Sequence, residues 1–306
     1  MRKIFNNINE ECIIIGIETR EYKGVIAEGS TVHEYSQKQI EAIKCKKRKN
    51  QAIRDNISRM GEYTVHYCDG YKLLEHVSFN TVGALLILSQ YIIQNTNEEG
   101  FMLIGTQGGG HVKPFKFKKD ILNILQLKNK DTINKIIDEA KEANLIQHTA
   151  IGYRLNAQLF FKGSGSKNLF TVSFKRSILE LQDKLPLKSI GYLFKISEYL
   201  PRTKIIADFT LVENPEETIT SNIRFLTVEE LAQRLNVSVK TILRLLNVKI
   251  GFRGFEKYDE LPLIIKVGRL GSTINPQGLM LNPLIFTHKL NEAIENGLFK
   301  FIQECK

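Results

Sequence analysis

The residues with the clearest chemical potential are four polar side chains near position 240, namely Ser238, Lys240, Thr241 and Arg244. Lys240 and Arg244 are four residues apart, so on a helix they share one face. Lysine and arginine pair with guanine edges or with phosphate oxygens, and hydroxyl groups bond to bases or phosphates. This set therefore predicts a surface that contacts DNA.

Two short helices are predicted to position these side chains. Thr227 and Glu230 have the spacing of a capping box, and apolar residues follow at helical intervals. Asn236 and Val237 interrupt the pattern, and Ser238 is placed to cap a second helix. Two helices with a tight turn and basic residues on the second predict a helix-turn-helix. The alternative is an ordinary helical hairpin, which does not require basic residues to cluster on its second helix.

The chain contains an internal duplication. The segment Gly83–Ile92 is repeated as Gly191–Leu200, and Leu155–Phe160 is repeated as Leu281–Phe286. A third pair of matching blocks, the helix pairs themselves, lies between these two in each copy. Chance similarity of apolar helices is the alternative, but three blocks in the same order favour a tandem duplication.

The duplication predicts a second set of DNA-contacting residues in the first copy. These are Lys130, Thr132, Asn134 and Lys135, on a helix expected over 130–143. In each copy an apolar strand, a glycine-containing turn and another apolar strand follow, which is the pattern of a wing. Wings commonly place cations on phosphate or in the minor groove. We therefore expect contacts from Arg154 in the first wing and from Lys266 and Arg269 around the second wing tip. Solvated surface cations are the alternative for each of these residues.

The N-terminal region is expected to hold a β arm, 12–17 with 23–27, followed by a basic helix within 33–60. The dense basic block Lys46, Lys47, Arg48 and Lys49 fits a contact with the DNA backbone. A solvated helix is the alternative for this block. The net charge of +10 is consistent with a polyanionic partner.

Several other chemistries are excluded by their motifs. Gly105 and Gly110 have phosphate-loop spacing, but His111 and Val112 stand where Lys and Ser or Thr must bind phosphate and magnesium. The histidines and cysteines lack metal-ligand spacing, so we expect no metal, no cofactor and no enzymatic activity. The four cysteines are expected to be reduced, as in a cytoplasmic protein. The sequence has neither an eighteen-residue apolar run nor an apolar signal core, so no membrane association is expected.

The predicted fold class is α+β, mainly α, with two tandem winged helix-turn-helix domains, an N-terminal β arm and a basic helix. The expected boundaries are 1–62 for the arm and basic helix, 63–163 for the first winged helix, 164–187 for a linker segment, and 188–306 for the second winged helix with a C-terminal helix.

Residues 120–163, which end in Leu155-Asn-Ala-Gln-Leu-Phe-Phe-Lys-Gly163, resemble RepL-type winged-helix replication proteins of Firmicute plasmids and phages. That family carries an Asn-Pro-x-x-Phe-x-Lys-Gly-like strand after its wing. Ala157 replaces the proline here, whereas Asn282-Pro283 restores it in the second copy. The arrangement of two winged helices also resembles that of theta-type plasmid initiators. The resemblance implies origin binding, with double-stranded DNA and host replication or transcription proteins as partners.

Three functions are consistent with the sequence. The first is a phage or plasmid replication initiator, the second a transcriptional regulator, and the third a structural or segregation protein that coats DNA. Two unequal helix pairs in one chain favour an asymmetric or directly repeated site, as at an origin. A regulator of palindromic operators usually has one such pair per subunit and dimerises.

Overall fold

The computed structural model describes residues 12–15, 22–26, 37–98, 100–108, 111–162, 170–200, 206–208, 224–253, 255, 260–267 and 278–287. The chain divides into two compact units, 1–51 and 52–306. The first unit holds an antiparallel hairpin of β1 (Cys12–Ile15) and β2 (Tyr22–Ile26). Helix α1 (Gln37–Met60) begins in this unit and ends in the second. Among the described residues, no helix is long and apolar enough to cross a bilayer.

The second unit contains both copies of the duplication. The first copy consists of β3 (Tyr63–Tyr67), a 3₁₀ turn (Cys68–Leu74), α2 (Phe79–Ser89), β4 (Ile92–Glu98), β5 (Phe101–Gly108), β6 (His111–Pro114), α3 (Lys118–Ile124), α4 (Lys130–Glu142), β7 (Ile146–His148), β8 (Tyr153–Asn156) and β9 (Phe160–Phe161).

The second copy follows the same plan, with one additional helix. It consists of β10 (Phe170–Phe174), α5 (Lys175–Lys184), α6 (Leu187–Ser197), β11 (Ala207–Asp208), β12 (Arg224–Phe225), α7 (Val228–Arg234), α8 (Val239–Leu246), β13 (Lys249–Ile250), β14 (Leu261–Pro262), β15 (Ile264–Val267), β16 (Gly278–Leu281) and β17 (Phe286–Thr287).

A four-stranded antiparallel sheet joins the two copies, in the order β17-β10-β3-β9. The central strands have related sequences, Tyr-Thr-Val-His-Tyr in β3 and Phe-Thr-Val-Ser-Phe in β10. Val65 and Val172 are paired at the middle of the register. Each copy then adds its own last strand at the outside, β9 beside β3 and β17 beside β10. This order and register are those of a local pseudo-two-fold axis that passes near Val65 and Val172.

Helices α2 and α6 pack against each other across the same axis. A Cβ atom at Gly83 would overlap the backbone of Leu187, and one at Gly191 would overlap the backbone of Phe79. The same Cβ atoms would lie 3.0 Å from the amide nitrogen of Gly191 and 3.1 Å from that of Gly83. The contacts are therefore reciprocal, and both helices approach at backbone distance because neither has a side chain at the crossing.

Equivalent asparagines close the two copies in the same way. The Asn156 side chain donates to the Asn144 carbonyl at 2.8 Å and accepts from the Gln158 amide at 2.8 Å. The Asn282 side chain donates to the Pro262 carbonyl at 3.0 Å and accepts from the Leu284 amide at 3.0 Å. These shared contacts explain why both repeated segments, Leu155–Phe160 and Leu281–Phe286, have asparagine as their second residue.

Polar side chains are buried beside the pseudo-two-fold axis. The His66 Nε2 atom lies 2.7 Å from Ser173 Oγ, and the Gln90 side-chain nitrogen Nε2 donates to the same Ser173 Oγ at 2.9 Å. The imidazole ring lies edge-on to Phe194, with ring centroids 4.8 Å apart. Burial lowers the pKa of His66 from 6.5 to about 3, because desolvation disfavours the charged imidazolium.

Helix α5 contacts both copies. Gln182 donates to the Ile124 carbonyl at 2.6 Å, at the C-terminal end of α3, and Asp183 accepts from Gln126 at 3.3 Å. On the other side, the Glu180 carboxylate accepts from the Arg253 amide at 3.0 Å, just beyond β13. The stretch 164–187, expected as a linker segment with a strand over 169–174 and a helix over about 176–184, contains β10 and α5 at these positions, and both contact neighbouring elements.

The α+β class and most helices are confirmed. The sequence predicts helices over 118–126, 130–143 and 188–200, and these are α3, α4 and α6. It also predicts a helix over 80–94, which is wrong beyond Ser89, because Ile92 begins β4. The sequence also predicts that the glycine-rich stretch from Gly105 to Val112 is a hairpin tip. The hairpin is confirmed by the pairing of β5 with β6, but the strand extends further than expected, because Gly105 lies within β5 and its amide donates to the Tyr91 carbonyl at 2.9 Å. The expected C-terminal helix over 287–303 lies almost wholly outside the described residues.

The close crossing of α2 and α6 predicts that Gly→Ala at the crossing destabilises the protein, the opposite of its usual effect in a helix. In an ordinary helix interior, Gly→Ala stabilises by about 1 kcal/mol. Gly83→Ala or Gly191→Ala is instead expected to destabilise the protein by about 2 kcal/mol or more, because the new methyl group meets backbone atoms. Urea unfolding measures the change. Gly108→Ala is the control, because a Cβ atom there meets nothing within 4 Å. Stabilisation by Gly83→Ala would contradict the close crossing.

The buried imidazole predicts a loss of stability in acid. The unfolded chain binds a proton at its ordinary pKa near 6.5, whereas folded His66 resists protonation down to about pH 3. The contribution of neutral His66 to the free energy of unfolding is therefore complete above about pH 6.5 and is lost as the pH falls from there toward 3. When the pH falls from about 8 to about 5, His66 should lower the free energy of unfolding by about 2 kcal/mol. Urea unfolding of His66→Gln should show a pH dependence smaller by that amount, whereas the exposed-site control His76→Gln should match the wild type. Equal pH dependence in all three proteins would rule out this role.

Candidate nucleic-acid interface

The second helix pair, α7 and α8, is held by its caps. The Thr227 hydroxyl accepts from the Glu230 amide at 3.2 Å, and the Glu230 carboxylate accepts from the Thr227 amide at 3.0 Å. Asn236, in the turn, has a positive φ of 51°. Ser238 then caps α8 by accepting from the Thr241 amide at 3.3 Å. The capping box and the second cap are therefore as the sequence predicts.

The free face of α8 carries two cations. Ile242 and Leu245 are buried beneath it, which orients the helix. Lys240 and Arg244 are exposed on the opposite side, together with Ser238. Thr241 is half-buried, and its hydroxyl lies 2.9 Å from Ser238 Oγ. The structure thus brings the four residues expected near position 240 together on one short helix.

The first helix pair, α3 and α4, has a related geometry. Gln126 in the turn has a φ of 54°, matching Asn236 in the second pair. The Asn129 side chain caps α4 by accepting from the Asp131 amide at 2.8 Å. The α3–α4 turn is one residue longer than the α7–α8 turn, because Asn129 lies three positions after Gln126 and Ser238 lies two after Asn236.

The free face of α4 carries the residues expected for the first copy. Lys130 and Lys135 are exposed, and Thr132 and Asn134 are half-buried. The Asn134 side-chain oxygen accepts from Lys118 Nζ at 2.7 Å, so this lysine at the start of α3 lies beside the α4 face.

Glu139, near the C-terminal end of α4, fixes the helix to α2. Glu139 accepts hydrogen bonds from the Ser78 amide, from the Thr81 hydroxyl and, at 2.7 Å, from the Ser78 hydroxyl. A carboxylate at a helix N-terminus is stabilised by the unpaired amides and the helix dipole. These hydrogen bonds contribute to a net lowering of the Glu139 pKa that burial opposes. The α4 face is thereby positioned by the same helix that crosses α6.

The wing residues are placed differently from one another. Strands β7 and β8 form one antiparallel pair, and β15 and β16 form the other. Lys266 is exposed on β15. Arg154 is only 4% exposed within β8, so the expectation that it contacts DNA is corrected, because its side chain is almost wholly buried. Arg269 lies outside the described residues.

The basic block of the N-terminal region is exposed. Lys46, Lys47, Arg48 and Lys49 are consecutive on α1, and all four side chains face solvent. Consecutive residues on a helix point in different directions, so this block forms a broad basic surface and not a single stripe.

Three exposed apolar residues at the helix pairs were missed by sequence reasoning. Val239 and Leu243 on α8 are 38% and 39% exposed, and Phe117 before α3 is 70% exposed. Apolar side chains beside a basic face can contact thymine methyl groups. The available signal was Phe117 at an N-cap position, where serine, threonine, aspartate or asparagine is preferred. A cavity of about 590 Å³ also lies between α8 and β14–β15, lined partly by Leu243 and Lys266.

Within the described part of the chain, no group of three or more His, Cys, Asp or Glu side chains could hold a metal ion. Comparison of the chain with protein-family models, with curated proteins and with solved structures finds no match.

Proposed function

We propose that the chain binds double-stranded DNA through two winged helix-turn-helix units, here called the first head (α3, α4, β7 and β8) and the second head (α7, α8, β15 and β16). The observation that carries this proposal is the repeated helix pair, in which the second helix has a side-chain N-cap and exposes cations. Lys130 and Lys135 occupy that face in the first head, and Lys240 and Arg244 occupy it in the second. A recognition helix must be held in a fixed position by the rest of the domain and must expose hydrogen-bond donors to the DNA.

The pseudo-two-fold arrangement supports a particular order of half-sites. Heads related by a two-fold axis meet a duplex in opposite orientations, as the subunits of a dimeric repressor do. We therefore infer inverted half-sites of different sequence. This agrees with the asymmetric site that the sequence favours and replaces its alternative, a direct repeat. The two half-sites differ in sequence, because α8 presents Lys240 and Leu243 where α4 presents Asp131 and Asn134.

Replication initiation of a phage or plasmid is the specific role we propose, with host replication proteins as further partners. It is supported by the resemblance of residues 120–163 to RepL-type proteins and by the presence of two unequal heads in one chain. Transcriptional regulation is the second candidate, and the two-fold relation favours it, because operators are commonly palindromic. Footprinting across the source replicon separates the two, since initiation requires several sites clustered at an origin and regulation requires a promoter site.

Substitutions in the two heads are expected to act on separate half-sites. A duplex is first selected by the full chain from a random pool. Lys240→Ala and Arg244→Ala should relax base preference in one half, and Lys130→Ala in the other, each costing about 1–3 kcal/mol where the side chain binds a base. Sequencing of pools selected by each variant measures the change. Lys141→Ala, an exposed lysine at the end of α4, is the matched control.

Alanine at Lys46, Lys47, Arg48 and Lys49 together provides a contrasting result. Phosphate contacts carry no sequence information, so this variant should bind with a shallower salt dependence and an unchanged base preference. If all the head variants weaken every duplex equally, the proposed heads do not read sequence. If the wild-type chain selects no duplex, DNA binding itself is wrong.

A further inference from the structure

Phe117 occupies a position that neither caps a helix nor fills a core. It is the residue before α3, and its ring is 70% exposed. A phenyl ring cannot accept hydrogen bonds from the free amides at a helix N-terminus. The Asp120 carboxylate instead accepts from the Lys116 and Phe117 amides, both at 3.0 Å. The equivalent position in the second head is Thr227, which does cap its helix. At this position the first head therefore has an exposed aromatic ring where the second head has a capping side chain.

The ring lies where the wing of the first head meets the helix pair. His148 Nε2 is 3.0 Å from the Lys116 carbonyl, and the Tyr153 amide donates to the Phe115 carbonyl at 2.8 Å. The turn between β7 and β8 carries a second exposed apolar residue, Ile151, which is 47% exposed. Phe117 and Ile151 thus lie on adjacent segments of the first head, and both are exposed.

The charge around these side chains is positive. Four exposed lysines lie within four residues of Phe117, and one of them, Lys118, is hydrogen-bonded to Asn134 on α4. The acidic residue in the same stretch, Asp120, is turned toward backbone amides. A flat apolar ring surrounded by cations is complementary to base faces flanked by phosphates. A protein partner with acidic residues around an apolar pocket is the competing occupant, and the DNA-contacting α4 face beside the ring favours nucleic acid.

We propose that Phe117, supported by Ile151, is an apolar wedge that enters a base step at the minor-groove edge of the first half-site and kinks the duplex there. Apolar wedges of this type partly unstack a base step and bend the helix axis. The inference rests on the proposed DNA binding and assigns the bend to the first head alone, because Thr227 gives the second head no such ring. The wedge also predicts a preference for flexible pyrimidine–purine steps at that position.

Phe117→Thr tests the wedge, because it copies the cap of the second head. The probe is the duplex that the full chain selects from a random pool, with a fluorescent donor and acceptor at its ends and 2-aminopurine at the kinked step. The wild type should shorten the end-to-end distance and raise the 2-aminopurine emission. The variant should lose both signals and bind roughly tenfold more weakly, the size of one base–aromatic contact. Its thermal midpoint should be equal or higher, since threonine restores the cap.

Two further variants and a competitor sharpen the test. Phe117→Trp should keep the bend, and Val112→Thr, at another exposed apolar site on β6, should behave as wild type. A bend and affinity unchanged in Phe117→Thr would overturn the wedge and leave DNA binding intact. A lower thermal midpoint in Phe117→Thr would assign the ring a structural role and overturn the wedge. Stronger Phe117-dependent binding to the single strand of the probe would assign the ring to unpaired bases and overturn the kink. Failure of the wild type to select any duplex would instead defeat the proposed function, and the wedge with it.

Discussion

The close crossing of α2 and α6 is the contact on which the second compact unit depends. Gly83 and Gly191 allow the two helices to meet at backbone distance, and the same axis relates the central strands β3 and β10. Strand β3 and helix α2 belong to the first copy of the duplication, whereas β10 and α6 belong to the second. Neither copy can therefore complete its core alone, since β3 requires β10 as its neighbour in the sheet. The duplication has produced one folded body that resembles a dimer joined in a single chain.

The surroundings of this crossing fix the two helix pairs. Glu139 attaches α4 to the start of α2, and α5 connects the α3–α4 turn to the segment after α8 through Gln182 and Glu180. Binding by a preorganised pair of heads loses less conformational freedom than binding by two heads on a flexible tether. The proposed DNA-binding mode differs in this respect from one based on a linker. Spacing and orientation of the half-sites would be set by the folded core, and a site with a wrong spacing would be strongly disfavoured.

The sequence predicts what local chemistry determines. The capping box at Thr227, the cap at Ser238 and helical periodicity located α3, α4, α7 and α8 within about two residues. The strands β4 and β5 were missed, because their polar and glycine-rich residues lack an alternating apolar pattern. Ser89 ended α2 earlier than its apolar run indicated, because the chain must turn there to form that hairpin.

Tertiary contacts determine what the sequence could not. Arg154 follows a wing turn and looked accessible, but in the structure its side chain is almost wholly buried. Gly83 and Gly191 marked the repeated phrase, yet their spacing does not reveal that they face each other. The resemblance between β3 and β10 likewise becomes meaningful only when the register pairs Val65 with Val172. The candidate surface was thus predictable residue by residue on single helices, whereas the relation between the two heads was not.

That relation is tested most directly by mapping the wings on DNA. In a chain whose four cysteines are replaced by serine, a single cysteine at Ile151 or at Lys266 carries a chemical nuclease, and cleavage is mapped on the selected duplex. A two-fold relation predicts that both wings cut on the outer flanks of the site, or that both cut toward its centre. One cut at an outer flank and the other at the centre would show heads in the same orientation, and would contradict the pseudo-two-fold account of recognition.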